Sequence, residues 1–208
     1  MILDVKKIEK IYSKNRFFFK KILWKLKKSL YNKSLRYLRI LNDSYSPRPY
    51  LQFMEHHFNG VEISGVEIGV WKGDNAKMIL DTLNIKKLYL IDPYIGETRK
   101  NDKAIALKKL RLYDDKCNFI FKKSSEAIFE IPFNLDFVYI DGNHDYDFVK
   151  NDINLYFKKI RKGGIIAGHD FDIYDVARAV IEFAAERGIH SSIQLAGYRV
   201  DWWFIKKT

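Results

Sequence analysis

The sequence predicts an α/β fold in which helices cover both faces of a mostly parallel, doubly wound sheet of seven strands. From Gly65 onward, short apolar runs rich in Val, Ile and Tyr alternate with longer helical patterns. Near-continuous apolar strands of this kind are typical of a parallel sheet that is buried on both faces. The last two runs have no helix between them, so we expect an antiparallel hairpin at one edge. The predicted strands are 65–69, 87–92, 118–122, 135–141, 164–168, 192–195 and 201–206, and the predicted helices are 74–83, 101–112, 124–129, 146–160 and 173–187.

The positive charge of the chain is confined to its beginning. Residues 1–42 contain 13 Lys and Arg against two acids, which gives 13 − 2 = +11, the net charge of the whole chain. The remaining residues carry 24 basic and 24 acidic groups and are neutral. This division predicts a basic arm over 1–42 and a globular domain over 43–208, with a boundary in the turn-rich segment Asn42–Arg48. A neutral domain argues against nucleic acid as a partner.

The arm itself has the pattern of an amphipathic helix. Phe18, Ile22, Leu26 and Leu30 recur every four residues, with lysines between them. We expect this helix to pack on the sheet or on a second copy of the chain in a homo-oligomer. Peripheral contact with anionic lipid and contact with RNA are the alternatives. No apolar run reaches the about 18 residues of a membrane span, and no signal peptide is visible, so we expect a cytoplasmic protein.

The end of the first predicted strand has the character of a cofactor site. Glu67 is followed by Gly69, Val70, Trp71 and Gly73 before a helix begins. The two glycines allow a tight turn and the close approach of a bulky ligand. Their spacing differs from the dinucleotide fingerprint, and Glu67 would repel a phosphate. An acid at this place instead suits the ammonium group of an amino-acid cofactor.

Two further strand ends carry groups that suit an adenosine. Asp92 ends the second strand, where a carboxylate can accept hydrogen bonds from ribose hydroxyls. Ser124 and Ser125 follow the third strand, where hydroxyls at a helix start can meet the edge of adenine. Each residue alone can be explained as a turn or helix cap. Their order after three successive strands favours an adenosyl amino acid, and we predict S-adenosylmethionine as the cofactor.

Carboxylates and imidazoles follow the next two strands. Asp141 ends the fourth strand with His144 three residues later, and His169 and Asp170 follow the fifth strand. The ends of adjacent parallel strands meet over one cleft, and such donors suit Mg²⁺ or Mn²⁺. An isolated Asp or His at these places is more often a helix cap or a core residue. Four of them on two facing strand ends favour a site for a divalent metal.

These motifs together resemble those of the class I S-adenosylmethionine-dependent methyltransferases, over residues 60–208. The resemblance is closest to the branch that contains the macrocin-type and mycinamicin-type sugar O-methyltransferases and the cephalosporin-hydroxylase-like proteins. It implies a Rossmann-like fold. The residues that carry it are Val66–Gly73, Asp92-Pro93, Ile140–Tyr146, Gly163-Gly164 and Gly168–Asp170.

The resemblance also implies roles for individual residues. It implies Asp141 and Asp170 as metal ligands, and it implies His144 as the base that deprotonates the acceptor. His169 stands where some relatives carry an acid, and we expect it to be a further ligand. Asp141 is expected to line the cofactor site as well. The implied acceptor is a hydroxyl of a sugar, a glycan or a glycosylated small molecule. The alternatives are a nucleic-acid methyltransferase that uses the arm, and a non-catalytic module that binds S-adenosylmethionine or a nucleotide.

Overall fold

The computed structural model describes residues 48–189, 192–196 and 200–207. The predicted arm, most of the predicted boundary and the turn around Gly197 lie outside the described residues. Within them, helices cover both faces of a seven-stranded sheet, which confirms the predicted fold class.

The elements follow the predicted alternation of strand and helix. The strands are β1 (Ile63–Ile68), β2 (Ile85–Ile91), β3 (Cys117–Ile120), β4 (Leu135–Ile140), β5 (Ile160–Gly168), β6 (Gln194–Ala196) and β7 (Asp201–Ile205). The helices are α1 (Pro49–Phe58), α2 (Asp74–Thr82), α3 (Glu97–Lys109), α4 (Ser124–Ala127), α5 (Tyr146–Phe157) and α6 (Tyr174–Glu186), with 3₁₀ turns at Arg111–Tyr113 and Ile128–Glu130.

The strand order is β3-β2-β1-β4-β5-β7-β6. Strands β1 to β5 are parallel, and β7 runs antiparallel to both β5 and β6, so the predicted edge hairpin is confirmed. The order reverses between β1 and β4. In open α/β sheets the crevice for a ligand lies at such a reversal, outside the carboxyl ends of the strands.

The carboxyl ends of four neighbouring strands are level. Ile68 of β1 pairs with Ile91 of β2 and with Ile140 of β4. Ile140 in turn pairs with Gly168 of β5. The residues that follow these four positions therefore lie along one edge of the sheet, and this edge is called the carboxyl edge below.

Burial on both faces explains the apolar strands. Alternate residues such as Val66, Val138 and Ile166 belong to the cluster covered by α5 and α6. Their neighbours, such as Phe137 and Ala167, belong to the cluster covered by α1, α2 and α3. Because successive side chains of a strand point to opposite faces, both sets must be apolar.

Helix α1 was not predicted from the sequence. Pro49 occupies its first position, and Tyr50, Leu51, Met54 and Phe58 are its buried residues. The helix runs from the carboxyl edge toward the opposite edge, where His57 Nε2 lies 2.9 Å from the carbonyl oxygen of Gly163. It is a separate element between the predicted arm and β1.

Several boundaries also differ from the sequence prediction, and the one between α5 and β5 has a structural reason. Helix α5 ends at Phe157, and β5 begins at Ile160, four residues before the predicted start. The register of β4 and β5 shifts between Leu135 and Phe137, beside Gly163, which has a φ of +78°. A glycine in this conformation allows the strand to continue through an irregularity instead of beginning after it.

Among the described helices, none is both long enough and apolar enough to cross a membrane.

The tight packing at the end of β5 makes a testable prediction. A Cβ at Gly168 would lie 2.5 Å from Trp202 Cζ2 and 2.6 Å from the carbonyl oxygen of Ile140. We expect Gly168→Ala to lower the free energy of unfolding by about 3 kcal/mol, because backbone and a buried ring must move. Gly142→Ala is the control, since the nearest atom to its Cβ would be 3.4 Å away. Urea denaturation measures both variants, and equal stabilities would contradict the packing described here.

Candidate active site

The backbone of the loop after β1 packs closely against the residues that follow β4. Gly69 has a φ of +87°, and a Cβ there would lie 2.0 Å from the carbonyl oxygen of Asp141. Gly73 has a φ of +75° and immediately precedes α2. Both predicted glycines are therefore required by the backbone itself. Between them, Val70 is buried and the Trp71 side chain is about half exposed, at 52%.

Asp92 braces this loop from the end of β2. Its Oδ2 accepts hydrogen bonds from the backbone N–H groups of Val70 (3.1 Å) and Trp71 (2.9 Å). Its Oδ1 accepts one from the N–H of Tyr94 (2.9 Å). A carboxylate can accept about four hydrogen bonds, so one acceptor position is left for a ligand. Asp92, which was predicted to bind the ribose, thus also holds the loop after β1 in place.

Three residues beside the site have left-handed backbone conformations. The φ values are +50° at Trp71, +46° at Tyr94 and +55° at Asp170. They follow β1, β2 and β5 at the carboxyl edge. Such conformations cost free energy in residues other than glycine, and they cluster where a fold fixes a functional geometry. Tyr94 also donates its hydroxyl hydrogen to the carbonyl oxygen of Trp71 at 2.8 Å, which ties two of these loops together.

The two predicted adenine contacts lie at the start of α4. The Ser124 hydroxyl donates to Asp152 Oδ1 on α5, at 2.5 Å. Ser125 is exposed. The donor of Ser124 is therefore engaged within the protein, which the sequence did not predict.

The structure brings together Asp141, His144 and Asp170. Ligand atoms of these three side chains lie within 4.8 Å of one another. His144 Nε2 is 3.1 Å from Asp170 Oδ2 and 3.6 Å from Asp141 Oδ1. Asp170 is buried, whereas the other two side chains are partly exposed. Two carboxylates and an imidazole at this spacing form a cluster that can hold a divalent cation.

His169 is not part of this cluster, in contrast to its prediction as a ligand. Its Nδ1 lies 2.8 Å from Asp201 Oδ1 and also contacts the guanidinium of Arg48. Its Nε2 is 4.0 Å from Asp170 Oδ1. The ring is turned toward this buried ion pair because Asp201, at the start of β7, is its nearest carboxylate.

Glu67 lies beneath the cofactor loop on the face covered by α1 and α2. It is 1% exposed, and its Oε1 accepts a hydrogen bond from Asn75 Nδ2 at 3.1 Å. Burial raises the pKa of Glu67 to about 8, and the nearby charge of Asp141 acts in the same direction. The carboxyl group of Glu67 is thus mostly protonated at neutral pH, whereas we predicted an ionised Glu67 from the sequence.

Three site residues were missed by the sequence analysis: Arg48, Asn75 and Asp201. Arg48 Nε donates to Asp201 Oδ2 at 3.0 Å, and its Nη1 donates to Asn75 Oδ1 at 3.0 Å. Asp201 is 1% exposed, and Tyr139 also donates its hydroxyl hydrogen to it. The available signal was an acid directly before the apolar run of β7, because a buried charge requires a partner.

The reversal in strand order and the loops at the carboxyl edge define the class of open α/β folds that bind ligands at this edge. The sequence profile of the family described as methyltransferase domain matches residues 66–171, about half of the chain. The chain belongs to this methyltransferase-domain family. The prediction of a class I S-adenosylmethionine-dependent methyltransferase is thereby confirmed.

One sequence relative and several solved structures are similar to the chain. An uncharacterized protein, R132, of Acanthamoeba polyphaga mimivirus is 32% identical over 129 residues, which are 60% of this chain and 58% of that protein. The O-methyltransferase from Bacillus cereus, solved with SAH, has a TM-score of 0.58 at 13% identity and covers 85% of this chain and 90% of its own. The O-methyltransferase NovP has a TM-score of 0.56 at 17% identity, with coverages of 76% and 80%. An rRNA methylase from Streptococcus thermophilus has a TM-score of 0.58 at 14% identity, with coverages of 77% and 98%.

These likenesses establish the fold and leave the acceptor open. Their names include enzymes for different acceptors on one architecture, and function depends on the site rather than on the fold. The narrower resemblance to sugar O-methyltransferases stays a prediction.

The buried acids predict how stability depends on pH. At pH values between 4.5 and about 8, folded Glu67 keeps a proton that the unfolded chain has released, so its contribution to stability falls as the pH rises and levels off above about 8. We expect Glu67→Gln to remove a fall of a few kcal/mol in the free energy of unfolding between pH 4.5 and about 8, of which the part between pH 6 and 8 is not shared with Asp152.

Asp152→Asn is the matched control for this prediction. Burial raises the pKa of Asp152 from 3.8 to about 6, so its contribution to stability falls as the pH rises between 3.8 and about 6. Urea unfolding at a series of pH values separates the two windows. An unchanged slope between pH 6 and 8 in Glu67→Gln would refute the assignment.

Proposed function

We propose that the chain transfers a methyl group from S-adenosylmethionine to a hydroxyl of a sugar, a glycan or a glycosylated small molecule, with the help of a divalent metal ion. The observation that carries the proposal is the cluster of Asp141, His144 and Asp170 at the carboxyl edge, beside the glycine loop of β1.

The donor set of this cluster fits Mg²⁺ or Mn²⁺. Carboxylate oxygens are the ligands that hard divalent cations prefer, and Mn²⁺ also accepts an imidazole nitrogen. Two carboxylates this close repel each other unless positive charge lies between them. We assign Asp141 and Asp170 as the ligands. The ion would lower the pKa of an acceptor hydroxyl and orient its oxygen.

The cofactor site fits S-adenosylmethionine on three grounds. The glycines at 69 and 73, both with positive φ, allow the tight turn of the loop between β1 and α2. Asp92 keeps one acceptor position for a ribose hydroxyl. The buried Glu67 lies next to the loop, and a cationic ligand would favour its ionised form. The cofactor supplies an electrophilic methyl group on a sulfonium.

His144 is the proposed base. Its side chain is 41% exposed, and its buried Nε2 lies 3.1 Å from Asp170 Oδ2, at the cluster beside which the acceptor hydroxyl would bind. Histidine is the side chain that most often acts as a general base in enzymes. His144 would therefore accept the hydroxyl proton beside the two carboxylates, Asp141 and Asp170, that would hold the metal ion.

Oxygen as the acceptor atom is supported by two structural neighbours that are named O-methyltransferases. A sugar is supported by the resemblance of the Asp141–Tyr146 motif to the sugar-modifying branch. The lack of net charge over 43–208 supports a neutral acceptor over RNA, because nucleic-acid binding depends on neutralising phosphates.

Metal binding makes the first prediction of this proposal. We expect Asp141→Asn and Asp170→Asn each to weaken Mn²⁺ binding at least about tenfold, because each removes one charged ligand. Calorimetric titration with Mn²⁺ measures the affinity. Asp145→Asn is the control, since this exposed acid is next to His144 in sequence but outside the cluster. Equal affinity in all four proteins would contradict the metal assignment.

The role of His144 makes the second prediction. We expect His144→Gln to lower methyl transfer by about 100-fold or more, while Mn²⁺ affinity changes by less than about threefold. Transfer is measured with methyl-labelled S-adenosylmethionine and a panel of glycosides, with catechol and RNA as the competing classes. A loss of Mn²⁺ affinity equal to that of Asp141→Asn would make His144 a ligand instead of the base. Transfer to RNA alone, or to none of the panel, would count against the proposed acceptor.

A further inference from the structure

The guanidinium of Arg48, whose side chain is 17% exposed, contacts groups from both halves of the carboxyl edge. It lies directly before α1. It binds Asn75 of α2, Asp201 of β7 and the ring of His169 after β5. It also lies 5.5 Å from the ring centroid of Tyr50 and 5.4 Å from that of Tyr139.

We propose that Arg48 is a positioning residue for the methyl-donor site, which it organises by fixing the orientation of the Asn75 amide next to Glu67. This inference rests on the proposed function. It adds a residue outside the matched family region, which begins at residue 66.

The orientation of Asn75 follows from its partners. Its Oδ1 accepts hydrogen bonds from Arg48 Nη1 at 3.0 Å and from the Tyr50 hydroxyl at 2.8 Å. Arg48 carries donors and no acceptor, so the amide oxygen must face it. The amide nitrogen therefore faces Glu67 and donates to Oε1 at 3.1 Å. A reversed amide would place two donors against each other and would leave Glu67 without this hydrogen bond.

This chain of hydrogen bonds ends at Glu67 on β1, close in sequence to the loop between Gly69 and Gly73. Glu67 stands two residues before Gly69, and Asn75 stands two residues after Gly73. Glu67 is 1% exposed and Asn75 is 9% exposed. Within the part of the chain that the structure describes, Glu67 Oε2 has no hydrogen-bond partner. A buried carboxyl oxygen without a partner is costly, and a donor group on a ligand would satisfy it.

Only the planar guanidinium of an arginine can bind Asp201 and Asn75 at the same time in these directions. Nε and Nη2 bind the two oxygens of Asp201, which fixes the plane of the guanidinium and aims Nη1 at Asn75. A lysine at position 48 would keep the positive charge beside Asp201, but its single nitrogen cannot hold both partners in these directions. Arg48→Lys therefore separates positioning from charge.

The test is the affinity of the full-length chain for S-adenosylmethionine, measured by calorimetry. We expect Arg48→Lys to weaken binding about tenfold or more. The matched control is Arg161→Lys, because Arg161 Nε binds Asp136 Oδ1 at 2.7 Å in another arginine–aspartate pair, at the opposite edge of the sheet. We expect this control to bind within about threefold of the wild type.

A double-mutant cycle distinguishes positioning from a general loss of structure. Arg48 and Asn75 act through one chain of hydrogen bonds, so Arg48→Lys combined with Asn75→Ala should bind no more weakly than the weaker single variant. Wild-type affinity in Arg48→Lys, or losses that multiply in the double variant, would overturn the inference.

Two cases need a separate reading: a variant that does not fold, and a wild type that does not bind S-adenosylmethionine. If Arg48→Lys does not fold, Arg48→Gln combined with Asp201→Asn replaces it, because this pair leaves no buried charge uncompensated. Wild-type affinity in that folded pair would overturn the inference alone. Absence of S-adenosylmethionine binding by the wild type would instead overturn the proposed function, and this inference with it.

Discussion

The level ends of β1, β2, β4 and β5 are the constraint on which the site depends. Ile68 pairs with Ile91 and Ile140, and Ile140 pairs with Gly168, so the residues that follow these positions share one edge. Gly168 keeps β5 in this register because a side chain there would strike Trp202 and the backbone of β4. A shift of one residue in β5 would exchange the faces of its side chains and separate Asp170 from Asp141.

A buried polar layer under this edge supports the loops above it. Glu67 and Asp201 are almost completely buried on the face covered by α1 and α2, and Arg48 carries the positive charge that pairs with Asp201. Buried carboxyls require either a partner or a proton. Asp201 has a partner in Arg48. Glu67 keeps a proton instead, because burial raises the pKa of Glu67 to about 8. Glu67 on β1 and His169 after β5 are therefore joined through one network of hydrogen bonds.

Sequence patterns predicted the features that depend on residues close together in the chain. Apolar runs gave the parallel sheet, and the positions of Gly69 and Asp141 at strand ends gave the edge on which the site lies. Contacts between distant residues were not predictable in this way: Arg48 and Asp201 are 153 positions apart. The sequence also does not reveal which side chain a histidine ring contacts. His169 contacts Asp201 instead of the cluster of Asp141, His144 and Asp170. Helix α1 was missed because its ten residues lie beside the stronger basic pattern of the arm.

The most direct measurement is a crystal structure of the full-length chain grown with S-adenosylhomocysteine and Mn²⁺, with anomalous diffraction recorded for manganese. We expect one manganese peak bound by carboxylate oxygens of Asp141 and Asp170, with the adenosyl group beside Asp92 and the loop between Gly69 and Gly73. A bound S-adenosylhomocysteine without manganese at these two carboxylates would contradict the metal-assisted mechanism. A nucleoside bound away from the ends of β1 and β2 would contradict the whole assignment of the site.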